Sequence, residues 1–222
     1  AKGALIVPKN RVEELVIENV KVKGIRAGAE AFGAKVVVAA DGALSLFAEQ
    51  AGLRGRAEPR HFAVGLKEII ELPAQTIEER MGLGRQEGAA QLYVGAVTKG
   101  VFGGGFLYTN KESISLGLVA GIQGMMNRQP SLEVHTLLDA FKEREEVAPL
   151  VAGGNVAEYS AHIIPEGGID ALPRLYGDGI LVVGDAAGLA LNMGITVRGM
   201  DFAFASGAIA ARAILDARKG GD

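Results

Sequence analysis

A mixed α/β (α+β) architecture with an inserted antiparallel sheet is the fold class that this sequence predicts, and three observations predict it. Two apolar runs, residues 35–40 and 179–183, each end where an acid stands beside a glycine, at Asp41-Gly42 and Gly184-Asp185. Between them lies a block of short strands whose residues alternate in polarity. After the second run comes one long helical stretch. An apolar run at a strand end followed by helix is the pattern of a buried parallel sheet, whereas alternation marks strands with one wet face.

The elements follow in order. Residues 4–7, 11–17 and 20–26 alternate as strands, with Glu18-Asn19 as the turn between the last two, and predict an antiparallel meander. A turn-rich stretch over 27–34 leads into residues 35–40, Lys-Val-Val-Val-Ala-Ala, a run suited to a strand buried on both faces. Residues 43–51 have the apolar spacing of a short helix stopped by Gly52. Polar and then strand-like text over 53–73 precedes a short Glu- and Arg-rich helix over 74–81. Strands are predicted at 91–97, 106–110 and 113–119 from alternation between Gly-containing turns. Residues 131–145 form the clearest surface helix, with Val134, Leu137, Leu138 and Phe141 at helical spacing and Ser131 as the cap candidate. Alternation returns over 157–165, and residues 179–183 make the second buried strand. Residues 200–217 close as a long helix whose face of Ala203, Gly207, Ala210 and Ala211 is flat enough for close backbone packing.

Composition narrows the chemistry. Hydrophobic residues make up 49% and charged residues 22% of the chain, a globular balance with no apolar run long enough to span a bilayer. The formal charge of −3 provides no basic field for nucleic acid. With no cysteine, the chain cannot form a disulfide, a thiol nucleophile, a zinc-thiolate site or its own iron–sulfur cluster. Glycine is the outlier, at 32 of 222 residues and scattered through apolar text, which signals turns and close backbone approaches, as around a nucleotide.

The two acid–glycine pairs are where chemistry is expected. Ligands of open α/β sheets bind beyond the carboxyl ends of strands. There a carboxylate can accept hydrogen bonds from sugar or ribityl hydroxyls, and glycine or alanine lets the ligand reach the backbone. For either pair alone, a plain helix cap is the competing reading. Residues 189–199 then form a mostly apolar loop leading to the long helix, whose start near Gly199 and Met200 offers unpaired amides to negative charge. His61, His135 and His162 are too far apart in sequence for metal-ligand spacing, and no metal site is assigned. Met125-Met126 is read as core filling, the run from Glu143 to Glu146 as a solvated helix face, and Lys111 and Arg198 as solvated cations. No nucleophile–base pair stands out, so no catalytic side chain is assigned.

Four stretches carry a family resemblance: 103–113 (GGGFLYTNKES), 158–168 (EYSAHIIPEGG), 175–179 (LYGDG) and 183–201. On these, residues 62–222 resemble the FixC-like flavoproteins, relatives of electron-transfer flavoprotein:quinone oxidoreductase and of the geranylgeranyl reductases. The resemblance implies an incomplete FAD-binding domain of the aromatic-hydroxylase-like type in residues 1–52 and 175–222, with residues 53–174 as an inserted antiparallel-sheet substrate or partner domain. It implies FAD as cofactor, with Asp185 on the ribityl chain, residues 188–199 along the isoalloxazine and Asp41-Gly42 near the pyrophosphate. The implied binding set is Asp41, Gly42, Gly184, Asp185, Ala186, Gly188, Asn192, Gly194, Ile195 and Gly199. Implied partners are an electron-transfer flavoprotein and a ferredoxin-like protein or quinone, in a cytoplasmic protein with peripheral contact to the inner face of the membrane left open.

Departures from the pattern carry information. No G-x-G-x-x-G opens a strand–helix unit, and the glycines of 100–105 lead into a strand. The sequence therefore reads as the central-to-C-terminal fragment of a longer enzyme, expected to be inactive and to hold FAD weakly by itself. Gly188 follows Ala187 where aromatic hydroxylases continue with His and Pro, and Ala48 stands where they tend to place Arg, which disfavours NADPH-driven hydroxylation. The absence of tryptophan counts against the Tyr-Trp motif of geranylgeranyl reductases. Prenyl or other alkene reduction, and a non-catalytic docking domain on a flavoprotein scaffold, remain the alternatives.

Overall fold

The structure is a computed structural model that describes residues 3–193 and 196–220. In chain order its elements are β1 (Glu14–Glu18), β2 (Lys21–Ala27), β3 (Glu30–Gly33), β4 (Val37–Ala39), α1 (Leu46–Gln50), β5 (Phe62–Glu71), α2 (Ala74–Met81), β6 (Ala90–Val94), β7 (Gly103–Thr109), β8 (Ser113–Gly121), α3 (Ile122–Met126), α4 (Val134–Lys142), α5 (Ala148–Val151), β9 (Asn155–Pro165), β10 (Tyr176–Gly177), β11 (Ile180–Val182), β12 (Leu191–Asn192), β13 (Val197–Arg198) and α6 (Met200–Lys219). Among the described residues no helix is long and apolar enough to cross a membrane.

The chain forms two compact units, one from Ala1–Ala57, Gly167–Leu191 and Arg198–Asp222, the other from Glu58–Glu166 and Asn192–Val197. The first unit holds the meander β1-β2-β3 and a three-stranded sheet of order β10-β11-β4. In that sheet β11 and β4 run parallel while β10 is antiparallel, so the parallel sheet expected from the two apolar runs is a single pair among the described residues. Leu15, Val22, Ala39, Ala48, Leu53, Ile180 and Val182 make its core. A fully buried side chain of this kind contributes about 1.5–3 kcal/mol.

Two strand expectations are corrected here. Residues 4–7 form no strand. Leu5 and Ile6 are 87% and 85% exposed, with nothing paired to them to satisfy their backbone, and the third meander strand is instead β3. The run over 35–40 narrows to β4 and is not buried on both faces, since Val36 and Val38 are exposed. A continuous apolar run signals capacity for burial and does not show which neighbours are present to cover it.

The second unit is a five-stranded antiparallel sheet, order β6-β7-β8-β5-β9, with helices on one face. Register explains the division of faces. Leu118 pairs with Leu66, Leu116 with Glu68 and Ile114 with Ile70, and these side chains meet Ile77 of α2 and Leu137, Leu138 and Phe141 of α4. Glu68 is the polar exception in this core. Lys142 Nζ on α4 donates to both of its carboxylate oxygens, at 3.1 and 3.0 Å, so the buried charge is paired. Two glycines set the packing distance. A Cβ on Gly105 would stand 2.7 Å from the Phe141 ring, and one on Gly117 would stand 2.4 Å from the Phe106 ring. Gly103, Gly104 and Gly105 lie inside β7, as their reading away from a dinucleotide fingerprint requires.

Smaller differences concern ends. The strand expected over 91–97 stops at Val94, because Gly95 at φ +88° turns the chain into a helical turn over 96–98. Ser131 does not cap α4. Its N-cap is Glu133, with no side-chain cap bond, and the helix starts only at Val134. Met125 is buried as expected of core filling, whereas Met126 is exposed.

Candidate functional site

In the first unit the parallel pair determines where both acid–glycine pairs emerge. Ile180 pairs with Val37, Leu181 with Val38 and Val182 with Ala39, and Val183 N–H donates to Ala39 C=O at 3.0 Å. Asp41 and Asp185 follow within three residues of that last pair, so both leave the same edge of the same sheet. The expectation that two separated strand ends converge is met at the level of register.

The two acids then differ in role. Asp41 Oδ1 accepts from Ser45 Oγ at 3.1 Å and its Oδ2 from Phe47 N–H at 3.2 Å, while Ser45 Oγ accepts from Ala48 N–H at 3.4 Å. Its carboxylate thus caps α1, the plainer of the two readings for this residue. Gly42, at φ +83°, has open space where a Cβ would be.

Asp185 caps nothing with its side chain. It sits exposed in a tight helical turn, Gly184–Ala187, in which Gly188 N–H donates to Asp185 C=O at 2.9 Å and Leu189 N–H to Gly184 C=O at 3.3 Å. Among the described residues its carboxylate makes no hydrogen bond, and Oδ1 lies 3.6 Å from where a Cβ on Gly199 would stand, at the start of α6. Gly184 needs glycine for its backbone, at φ +61°, and not for space, because its nearest neighbour to an added Cβ is Ala203 at an ordinary 3.5 Å. Gly188 turns the chain out at φ +68°. Ala186 beside them is fully buried.

One residue that the sequence reading missed holds this turn. Ser206 Oγ on α6 accepts from Gly184 N–H at 2.9 Å and donates to Ala203 C=O at 2.9 Å. A serine one turn from the flat alanine face is visible in sequence, but nothing there indicates that α6 returns to this turn. The helix start itself is partly answered from within. Arg198 pairs with Asp201 in the first turn and holds the Asp201 carboxyl below its ordinary range, and the Arg198 guanidinium lies 5.8 Å from the Phe202 ring centre.

Asn192 belongs to the second unit, apart from the rest of the expected set, and Gly194 and Ile195 lie outside the described residues. Asn192 borders a cleft of about 380 Å³ on the sheet face away from the helices. Leu92, Phe106, Val119 and Ile164 give it apolar walls, and Phe106 stacks on Tyr108 with ring centres 5.7 Å apart. The polar feature is Glu166, just beyond β9, whose Oε1 accepts from Asn192 Nδ2 at 3.1 Å. Burial raises the Glu166 pKa above the ordinary value, against an opposing pull from the Asn192 hydrogen bond. Glu166 lies within the quoted stretch 158–168, yet no sequence signal separates it from a surface glutamate.

A family model described as ETF-QO, ubiquinone-binding, matches residues 62–164, which run from β5 through β9. Protein FixC of Escherichia coli strain K12 is 48% identical over 220 residues, covering 99% of this chain and 51% of that protein. A probable electron transfer flavoprotein-quinone oxidoreductase of the same strain, YdiS, is 46% identical over the same shares. The chain spans about half the length of the curated relatives it matches. Among solved structures, a geranylgeranyl bacteriochlorophyll reductase-like protein from Thermoplasma acidophilum superposes with a TM-score of 0.73, at 22% identity over 96% of this chain and 50% of that one. The flavin-dependent brominase Bmp2 shares the fold more loosely, with a TM-score of 0.54 at 14% identity over 80% of this chain and 43% of that one. Over nearly its whole length, the chain is a homologue of the FixC and electron transfer flavoprotein-quinone oxidoreductase proteins.

Proposed function

We propose that this sequence forms part of an FAD-dependent oxidoreductase that passes electrons between an electron-transfer flavoprotein and a quinone or ferredoxin-like acceptor. The observation that carries the reading is the parallel register of β4 and β11, which brings Asp41-Gly42 and Gly184-Asp185 to one sheet edge. The residues there fit the group: an exposed carboxylate without a partner among the described residues, glycines with positive φ that admit a ligand to the backbone, and a helix start facing the carboxylate. The high identity to the quinone oxidoreductase relatives supports the acceptor.

Bound FAD would supply the capacity to take up an electron pair and release it to one- or two-electron acceptors. The chain's residues bind and orient. Asp185 accepts hydrogen bonds from ribityl hydroxyls through the oxygens that Gly199 leaves open. Ser206 keeps the Gly184–Ala187 turn seated on α6, so the carboxylate is held before ligand arrives. Asp41 serves chiefly by fixing α1 and the Gly42 turn, where backbone can meet phosphate or sugar oxygens. No residue is assigned a nucleophilic or acid–base role at this edge. Because no G-x-G-x-x-G opens a strand–helix unit in this sequence, the 222 residues alone hold FAD weakly and are inactive by themselves.

The test uses a protein of the relatives' length that carries this sequence. Flavin should survive purification, bleach on addition of reduced electron-transfer flavoprotein, and regain its colour when a short-chain ubiquinone is added. A bleached flavin that no quinone or ferredoxin-like acceptor reoxidises contradicts the reading.

A further inference from the structure

Glu166 combines three features that together call for a ligand. It stands at the cleft on the open sheet face, anchored by its N–H donating to His61 C=O at 2.8 Å. The hydrogen bond from Asn192 fixes the rotation of its carboxyl through Oε1, and among the described residues nothing reaches Oε2. The walls around it include Phe102, Val119, Ile164 and Val197, and Glu166 is the one carboxylate among the described lining residues, beside the uncharged polar groups of Tyr93, Tyr108, Asn192 and Thr196. Glu166 Oε2 is not among the buried polar atoms without a partner, so it stays within reach of solvent in the cleft, where a ligand hydroxyl can take the place of water.

The cleft's size and chemistry limit what that group is. About 380 Å³ accommodates one substituted ring and the start of a tail, near the lower end of small-molecule sites. The Phe106 and Tyr108 rings offer flat apolar surface to a ring. An ionised carboxylate accepts hydrogen bonds and cannot donate them, so it pairs with a hydroxyl and turns its lone pairs against a carbonyl. The other titratable side chains lining the cleft are the phenols of Tyr93 and Tyr108, and burial pushes the Tyr93 hydroxyl pKa further up.

We infer that Glu166 is the specificity-determining residue of this cleft, which holds a substituted aromatic ring by accepting a hydrogen bond from its hydroxyl, and so prefers the hydroquinone form of a quinone over the oxidised form. This rests on the quinone acceptor proposed above and adds which oxygen-bearing form the site favours and through which side chain.

The experiment is an anaerobic NMR titration of the isotope-labelled 222-residue chain at a pH above the Glu166 midpoint read from its own side-chain carboxyl resonance, so that the carboxylate is ionised. The probes are 2,3-dimethoxy-5-methyl-1,4-benzoquinone and its hydroquinone. The hydroquinone is expected to bind roughly tenfold more tightly, the scale of one hydrogen bond to a charged group, and to shift the amides around Gly104, Val119 and Glu166. In Glu166→Gln, whose amide both donates and accepts, the two forms should bind within about twofold of each other. A preference unchanged in Glu166→Gln, or tighter binding of the quinone by the unaltered chain, overturns the inference and leaves the quinone acceptor standing. Failure of both probes to shift any amide of the cleft overturns the inference together with the acceptor reading on which it rests. Should Glu166→Gln lose the spectrum of the folded chain, Glu166→Asp is measured instead. It withdraws the carboxylate by one methylene, and an undiminished preference there overturns the inference equally.

Discussion

Val182 is paired with Ala39 in a parallel register, and that one pairing brings two acids 144 residues apart in sequence to a single sheet edge. The crossover between the two strands contains all five strands of the antiparallel sheet, so no local pattern could have secured the pairing. What secures it is packing. Ile180, Val182 and Ala39 share one core with Leu15, Val22 and Ala48. The turn after β11 is then held from α6, through the bond from Gly184 to Ser206.

That turn is sensitive to backbone and hydrogen bond in separable ways. Gly184→Ala places a Cβ at φ +61°, which costs about 1–2 kcal/mol by steric strain though space is available. Ser206→Ala leaves the Gly184 N–H without its acceptor, for about 1 kcal/mol. Denaturant melts should show both losses with unchanged slope, and the double substitution should cost less than the sum because the two residues touch.

The Lys142–Glu68 pair crosses from α4 to the sheet. Lys142→Met removes the partner of a carboxylate that is 5% exposed, and a loss of about 2–4 kcal/mol is expected. Replacing both, as Glu68→Gln with Lys142→Met, should restore most of it. Equal losses for the single and double variants would deny that the pair is coupled.

Gly105→Ala tests the close approach of sheet and helix. Its Cβ would meet the Phe141 ring at 2.7 Å, and overpacking of this kind costs about 1–3 kcal/mol. Phe141 also meets Tyr93 edge to face, with ring centres 4.9 Å apart, so the Tyr93 environment should change in the variant's aromatic NMR spectrum.

The raised pKa of Glu166 has a signed consequence. Burial makes the folded protein hold this proton more tightly than the unfolded chain does, whose glutamate titrates at its ordinary 4.5. The group's contribution to stability therefore falls as pH rises from that value toward the folded one, and stays lowered above it. Relative to the unaltered chain, Glu166→Gln should gain stability across the same rise. Parallel stability–pH curves for the two proteins would contradict this.

Much of the fold was legible where the physics is local. The helix over 74–81 was bounded correctly because Gly82, at φ +64°, stops it, and the core positions Leu137, Leu138 and Phe141 follow directly from helical spacing. Strand alternation found β6 to β9 with ends displaced by up to three residues, and the buried face of the sheet comes from β5, β7 and β8, whereas β9 is mostly exposed. The run over 35–40 misled about burial, since apolar content reports what a strand could bury and Val36 and Val38 are exposed. At the candidate site the sequence named Asp185 and its glycines, which carry their conformational signal individually. It missed Ser206 and Glu166, ordinary residues whose importance comes from Gly184 and Asn192 being brought to them by the fold.

The shared edge is tested most directly by titrating FAD into the isotope-labelled chain, at protein concentrations high enough to register weak binding. The amides of Gly42, Gly184, Asp185, Gly188 and Gly199 should shift together along one saturating curve, and Asp185→Ala should weaken that curve about tenfold or more while the fold is kept. Shifts confined to one of the two turns, or an Asp185→Ala chain that binds FAD as well as the unaltered one, would contradict a single flavin site built from both.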